Sequence, residues 1–244
     1  MSLEQLQRDW DSLGRKDPFW AILSCRKKKG NKWQEKEFFS TGISEIKGVM
    51  EHLDSVGVVV SRRKALDFGC GAGRLTQALA SYFAEVDGVD IAPSMIELAN
   101  RYNRYNNKCR YHLNNKASLD LFPDDSFDLI YSDFTLQHIE PEFSKLYITE
   151  FVRVLAPSGL LIFEIPSHLV NPNSIKQRVK RAIGQNLLGY YRKLKYGSVM
   201  HMYSIERQDV VAVLVRSTAS IIEVSEYVDD NNQWNICRYF ATKP

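Results

Sequence analysis

Between Lys64 and Pro166 the chain alternates short apolar runs with stretches whose apolar residues recur every three or four positions. The runs "KALDF", "AEVDGVD", "CRYHL", "SFDLIYSD" and "GLLIFEI" have strand length and polar or turn-forming borders, and they predict five buried strands. Among the intervening stretches, "RLTQALASYF" puts Leu75, Ala78, Leu79 and Phe83 on one helical face. "PSMIELANRYNR" opens on Pro93, and "PEFSKLYITEFVRVL" opens on Pro141 and spaces Phe143, Leu146, Tyr147 and Phe151 helically. Proline suits a first helical turn, where its missing N–H has no intrahelical partner to lose. From Ile205 onward, "ERQDVVAVLVRSTA" predicts a helix, and "SIIEVSEYV" and "QWNICRYFATK" predict two more strands, paired as a hairpin. Strands alternating with helices predict an α/β fold: a doubly wound, mainly parallel seven-stranded sheet with helices on both faces.

Two pieces stand outside this rhythm. Residues 1–60 hold Trp10, Trp20 and Trp33, three of the four tryptophans, with Phe19, Phe38 and Phe39. They predict an aromatic helical lid; plain packing on the sheet is the simpler reading, and the two are compatible. Residues 167–204 predict a basic helical insertion after the fifth strand. From Ser167 to Tyr203 there is no acid, while Lys176, Arg178, Lys180, Arg181, Arg192, Lys193 and Lys195 are present. Ile175, Val179, Ile183, Leu187, Leu188 and Tyr191 fall there at helical spacing. Residues 61–166 then form a ligand-binding core, completed by a last helix and two strands in 205–244.

The 244 residues, 44% apolar and 25% charged, suit one globular domain with a small lid. A net charge of +3 is too small to imply a nucleic-acid binder. The four cysteines, Cys25, Cys70, Cys109 and Cys237, are widely spaced with no C-x-x-C pair. That argues against a metal site or a disulfide framework and for a reducing, cytoplasmic setting. The first residues carry no basic n-region followed by an apolar stretch, and no apolar run approaches the roughly 20 residues of a membrane span.

The chemistry is signalled by "ALDFGCGAGRLTQALA", Ala65 to Ala80. Gly69, Gly71 and Gly73 sit where a strand becomes a helix. Such a turn needs backbone conformations closed to most residues, or room for a ligand against the main chain. The helix N-terminus beyond it offers unpaired N–H groups and a positive dipole end. Asp90 closes the next strand, 23 residues after Asp67. That is near the offset at which an acid takes the hydroxyls of a bound ribose. Capping the following helix is the alternative for Asp90. Together the two elements predict an adenosine-containing cofactor.

Here a resemblance becomes specific. "LDFGCGAGRLTQALA" resembles the first motif of the class I, Rossmann-like S-adenosylmethionine-dependent methyltransferases. NAD enzymes favour G-x-G-x-x-G, and position 74 is Arg. "VDGVDIAPSMIELA", "FPDDSFDLIYSDFTLQHI" and "EFVRVLAPSGLLIFEIP" resemble the later signposts in order, so the likeness covers Ala65 to Pro166, with a weaker echo in the terminal "QWNICRYFATK". "DPFWAIL" is similar to the N-terminal segment of some bacterial small-molecule methyltransferases. One departure is Pro157-Ser158-Gly159, where the family usually has two glycines after the proline.

The resemblance implies S-adenosyl-L-methionine as cofactor and its homocysteine product. Asp67, Gly69, Cys70, Gly71 and Gly73 would cradle the methionine and ribose part. Asp90 would take the ribose hydroxyls, Ile91 and Met95 would pack on the adenine, and Asn114 or Asn115 would meet the adenine amino group. Ser132 would lie near the methionine moiety, and Gln137 and His138 at the junction with the acceptor. A base is needed only for a hydroxyl or protonated amine acceptor. His138 is the first candidate and His168 another, with a structural cap as the bland role for His138; Glu164, His201 and Tyr203 follow. The expected activity is methyl transfer to a small-molecule or glycan/lipid-intermediate acceptor. The basic insertion suggests an acidic or phosphorylated acceptor, a peripheral membrane contact for a lipid-linked one, or a merely solvated face. An RNA methyltransferase, or a nonenzymatic cofactor-binding interaction protein, is the alternative. The fourth strand is followed by "SDFTLQ", unlike the Asn/Asp-Pro-Pro-Tyr of nitrogen methylators of DNA and protein.

Overall fold

The computed structural model describes residues 1–172, 200–229 and 231–244. Among them, seven strands form one sheet: β1 (Lys64–Phe68), β2 (Glu85–Asp90), β3 (Cys109–Leu113), β4 (Phe127–Ser132), β5 (Leu155–Leu169), β6 (Ser220–Val228) and β7 (Trp234–Thr242). Their order is β3-β2-β1-β4-β5-β7-β6. The first five run parallel, and β7 enters antiparallel between β5 and β6. The order reverses between β1 and β4, and such a switch point opens a crevice at the carboxyl ends of the strands.

Helices α1 (Leu3–Lys16), α2 (Pro18–Ile22) and α3 (Glu35–Ser55) precede the sheet; α4 (Arg74–Leu79), α5 (Pro93–Tyr102), α6 (Pro141–Val154) and α7 (Arg207–Arg216) connect its strands. α1 has good ends. Ser2 accepts the Gln5 N–H at 3.2 Å, Glu4 lies in the first turn, and Arg15 and Lys16 close the last.

The central strands are buried on both faces, so alternate residues feed two cores. Leu66, Phe68, Ile130, Leu161 and Phe163 pack with Tyr147, Phe151, Val210 and Leu214 on one side. Ala65, Leu129, Tyr131, Leu160 and Ile162 pack with Ile46, Met50, Leu75 and Leu79 on the other.

The structure trims two expectations. α4 ends at Leu79, not Phe83, although turns carry Phe83 to full burial. β5 begins at Leu155 and absorbs Pro157-Ser158-Gly159, with Ser158 in the left-handed region at φ 59°. All seven cations of the predicted basic insertion fall in 173–199, outside the described residues. Of the described residues, no helix is long and apolar enough to cross a membrane, and no cluster of metal-ligating side chains occurs. The four cysteines are free thiols, and only Cys25 is exposed.

Candidate cofactor and acceptor cleft

A cleft of about 840 Å³ opens over the carboxyl ends of β1, β2 and β4. That volume is within the usual range of small-molecule sites. The glycine turn forms its floor. Gly69, Gly71 and Gly73 have φ of 80°, 51° and 82°, a region that side chains rarely enter. A Cβ on Gly71 would lie 2.6 Å from Ile22 Cδ1 of α2, so the N-terminal segment sits directly on the turn. Trp10 of α1, the stretch from Ile22 through Arg26, and Trp33 add the cleft's other wall.

Asp90 stands at the end of β2 on the cleft wall. Its Oδ2 accepts the Gly71 N–H at 2.9 Å and its Oδ1 the Ala92 N–H at 2.8 Å. The carboxylate thus ties the glycine turn to the start of α5, and each oxygen keeps acceptor capacity. Burial raises its pKa and the backbone N–H groups counter it. Asp90 is not the N-cap of α5, which is Ala92; it braces the residues just before the helix while facing the cleft.

Gly69, Gly71, Asp90, Ile91, Met95, Asn114, Gln137 and His138 line this one cleft. Asn114 Nδ2 donates to the Ser118 carbonyl at 2.8 Å and its backbone N–H to the Asp90 carbonyl at 2.9 Å, so it also fastens the loop after β3. Asn115 is exposed and lies off the cleft lining.

Asp67, Cys70, Gly73 and Ser132 stand behind the wall. The Thr76 hydroxyl donates to Asp67 Oδ2 at 2.6 Å, and burial pushes the Asp67 carboxyl up to about 6. Burial likewise pushes the Cys70 thiol up. Ser132 Oγ donates to the Phe68 carbonyl at 3.1 Å, joining the ends of β1 and β4. Gly73 faces the Tyr111 ring, whose hydroxyl would lie 2.5 Å from an added Cβ.

His138 follows β4 in a short 3-10 turn, Leu136–His138. Its Nδ1 lies 2.6 Å from the His201 carbonyl, which can only accept, so the proton sits on Nδ1. Its Nε2 lone pair then meets the Gln137 amide at 3.2 Å. The Trp10 ring packs edge-on at 5.0 Å. Burial pushes the imidazole down to about 4. A neutral ring of such low basicity suits an oriented hydrogen-bond acceptor better than a proton acceptor at neutral pH.

His168 lies elsewhere, in a separate shallow pocket with Lys145, Ser204, Asp209 and Trp234. The other candidates also stand off the cleft lining. The His201 carbonyl holds His138, the Tyr203 N–H donates to the Gln137 carbonyl at 2.7 Å, and Glu164 is buried in the sheet.

Beside the cleft the structure gathers charges of which the sequence reading named only Glu164 as a candidate base. Glu45, Arg74 and Asp133 line it, with Glu164 and Arg238 behind. Arg238 Nη2 reaches Glu45 Oε1 and Glu164 Oε2, each at 3.0 Å. The hydroxyls of Tyr131 and Tyr227 donate to Glu45 at 2.7 Å and to Glu164 at 2.6 Å. Glu164 stands out in the sequence as the single charge in the apolar run "GLLIFEI"; Glu45, Asp133 and Arg238 carry no such local signal.

Residues 66–163 match the family described as "Methyltransferase domain". A demethylmenaquinone methyltransferase of Tropheryma whipplei is 36% identical over 119 residues, 47% of this chain and 47% of that protein. A trans-aconitate 2-methyltransferase of Methylobacterium radiotolerans is 34% identical over 125 residues, 50% of this chain and 45% of the relative. The aligned part is thus about half of each relative's length. Magnesium protoporphyrin IX methyltransferase from Synechocystis PCC 6803, solved with bound SAH, superposes over 98% of both chains with a TM-score of 0.63 and 18% identity. An S-adenosylmethionine-dependent methyltransferase from Methanosarcina mazei superposes with a TM-score of 0.61 and 23% identity, over 78% of this chain and 96% of that one. The fold is that of the class I methyltransferases.

Proposed function

We infer that this chain, whose residues 66–163 match the methyltransferase domain family, uses S-adenosylmethionine to methylate a small-molecule acceptor. The observation that carries the reading is Asp90: a cleft-facing carboxylate whose two oxygens already hold the glycine turn and the start of α5. The residues present fit the cofactor. Asp90 would take the ribose hydroxyls, Ile91 and Met95 would sandwich the adenine, and the main chain of Gly69 and Gly71 would admit the methionine part. Asp67 and Ser132 would act one layer back, Asp67 by fixing α4 through Thr76 and Ser132 by joining β1 to β4. When bound, the cofactor supplies a methyl group already activated on a sulfonium.

The chain's own contribution is then position and dryness. Trp10, Ile22 and Trp33 cover the cleft and exclude water, which is the lid role for the N-terminal segment. His138, locked by the His201 carbonyl, fixes the Gln137 amide at the acceptor side through Nε2. His168 has no part in this assignment. The cleft's apolar residues, among them Phe134, Met202, Trp234 and Ile236, support an acceptor with an apolar body. The named relatives, which act on small molecules, support the same class.

The test is calorimetric titration with S-adenosylmethionine, its demethylated product and NAD. Micromolar binding of the first two without NAD is expected. Binding of NAD, or of none of the three, would sink the reading.

A further inference from the structure

The N-terminal segment brings a run of cations to the mouth of the cleft. Between Asp17 and Glu35 there is no acid, while Arg26, Lys27, Lys28, Lys29 and Lys32 are present. A short 3-10 turn, Arg26–Lys28, presents the first three, and Arg26 lines the cleft. Lys28 is neutralised by Glu37 at 2.5 Å. Arg26, Lys27 and Lys32 are exposed and make no ion pair among the described residues. The run is held against the fold by two rings: the Lys28 ammonium lies 5.1 Å over Trp33, and that of Lys29 lies 4.6 Å over Trp20.

The facing rim is apolar. Ser24 Oγ lies 4.0 Å from Met200 Sδ, so the basic run meets the stretch that leads to Met202. Met202 and Phe134 line the cleft. The Val170 N–H donates to the Gln233 carbonyl at 3.0 Å, and Val228 pairs with Asn235, so both flank Trp234, another lining residue. These four side chains are between 38% and 45% exposed. The acid on this rim, Asp229, is turned into its own hairpin, where Oδ1 accepts the N–H groups of Gln233 and Trp234 at 2.6 and 2.8 Å. The chain leaves the rim at Pro172 and returns at Met200, and the sequence between them has seven cations and no acid.

Single exposed apolar residues are ordinary; a group of them around a cleft mouth, next to unpaired cations, marks an interaction surface. The chemistry selects the partner. A soluble acidic ligand would use the cations and leave the apolar rim in water. A nucleic acid would seek bare aromatic faces for its bases, and Trp20 and Trp33 each carry a lysine on one face. An anionic bilayer uses both features together, its headgroups meeting the cations and its acyl boundary the apolar rim. We propose that the cleft mouth docks on an anionic lipid bilayer, with the basic run at the headgroups and Phe134, Val170, Met202 and Val228 against the acyl boundary, and that the acceptor enters from the bilayer. An apolar acceptor then reaches the cleft without crossing water. Only the acceptor's route rests on the methyltransferase reading; the docking does not.

Co-sedimentation of the full chain with vesicles tests this, without cofactor or acceptor. Vesicles of phosphatidylcholine mixed with phosphatidylglycerol should bind at least tenfold tighter than phosphatidylcholine alone. A basic residue at such a surface contributes about fivefold in affinity, so Lys27→Gln/Lys32→Gln, both off the cleft lining, should weaken binding to the mixed vesicles about 25-fold. Val170→Ser/Val228→Ser should weaken it at least threefold at the same salt. Both variants should keep the wild-type affinity for the demethylated cofactor product, which reports that they are folded. Equal binding to the two vesicles, or binding to neither, would overturn the proposal. Vesicle binding unchanged in either folded variant would overturn it as well. Displacement of the mixed vesicles by polyadenylate at equal phosphate concentration would reassign the surface to nucleic acid. Vesicle binding by a wild type that fails to bind the product would leave the docking in place and remove the methyltransferase reading.

Discussion

Asp90→Ala separates a ligand contact from a structural tie. The carboxylate has about four lone-pair sites, and two are taken by Gly71 N–H at 2.9 Å and Ala92 N–H at 2.8 Å. Two remain for a ribose diol. A hydrogen bond to a charged group contributes about 1.5–3 kcal/mol, so removing one ribose contact should weaken binding of the demethylated product about 10- to 150-fold. The substitution also frees two backbone N–H groups at the cleft edge, where water can reach them, and that loss can distort the turn. A plain affinity measurement would mix the two effects. The decisive assay is a cycle: titrate wild type and Asp90→Ala with the product and with its 2′-deoxy analogue. In the wild type the deoxy analogue should bind at least tenfold more weakly. In Asp90→Ala the two ligands should bind within about threefold of each other. An equal deoxy penalty in both proteins would refute the contact and leave Asp90 as a helix-end tie alone.

Three further outcomes follow from the same structure. Ser158 occupies the left-handed region at φ 59° while its N–H donates to the Lys243 carbonyl at 2.8 Å, so Ser158→Gly should keep the bond, relieve the strain and stabilise by about 0.5–1 kcal/mol in urea unfolding; a destabilised variant would contradict this. Asp87 is buried among Lys64, Arg110 and His112 at 2.9, 3.1 and 2.7 Å, which outweigh its burial and hold its carboxyl down at about 2. Its contribution is present above the unfolded carboxyl value of 3.8 and is lost as pH falls through about 2, so Asp87→Asn should cost about 1.5–3 kcal/mol at pH 7 and flatten the acid limb of unfolding. His138 titrates at about 4 when folded against 6.5 unfolded, so the unfolded chain binds a proton the native state refuses, and stability falls by about 3 kcal/mol as pH drops across that window. Urea unfolding at pH 5 and pH 7 should show that slope reduced in His138→Gln; an unchanged slope would mean that His138 is accessible and protonated in the native state.

The strands were legible because each central run is apolar on both faces and bounded by turn residues. The two edge strands, without that double burial, were legible from length and β-forming residues: "CRYHL" and "SIIEVSEYV" coincide with β3 and β6 residue for residue. α4 was over-extended because Phe83 keeps helical phase and burial while reaching its place through turns. The glycine turn and Asp90 were legible because both lie within one strand–helix–strand unit, where spacing along the chain determines spacing in the fold. The lining of the opposite wall was not. Trp10 packs on His138 and Ile22 rests on Gly71 from distant parts of the chain, and nothing local to either residue says so.

The acid–guanidinium cluster shows why such sites escape a motif search. Tyr131, Glu164 and Arg238 continue rows whose earlier members, Leu129, Leu160, Ile162 and Phe240, belong to one apolar core. Period-2 alternation therefore hides them: Glu164 within β5 and Arg238 midway along β7 occupy positions of rows that otherwise read as core. Glu164 and Arg238 become cross-strand partners only because β7 enters antiparallel beside β5, a pairing across 74 residues. Glu45 joins them across 193 residues through α3. The closure also brings Asp133 against Glu164, and Asp133 Oδ1 and Glu164 Oε1 are both left without another partner. That property belongs to the assembled sheet, and no residue taken alone expresses it.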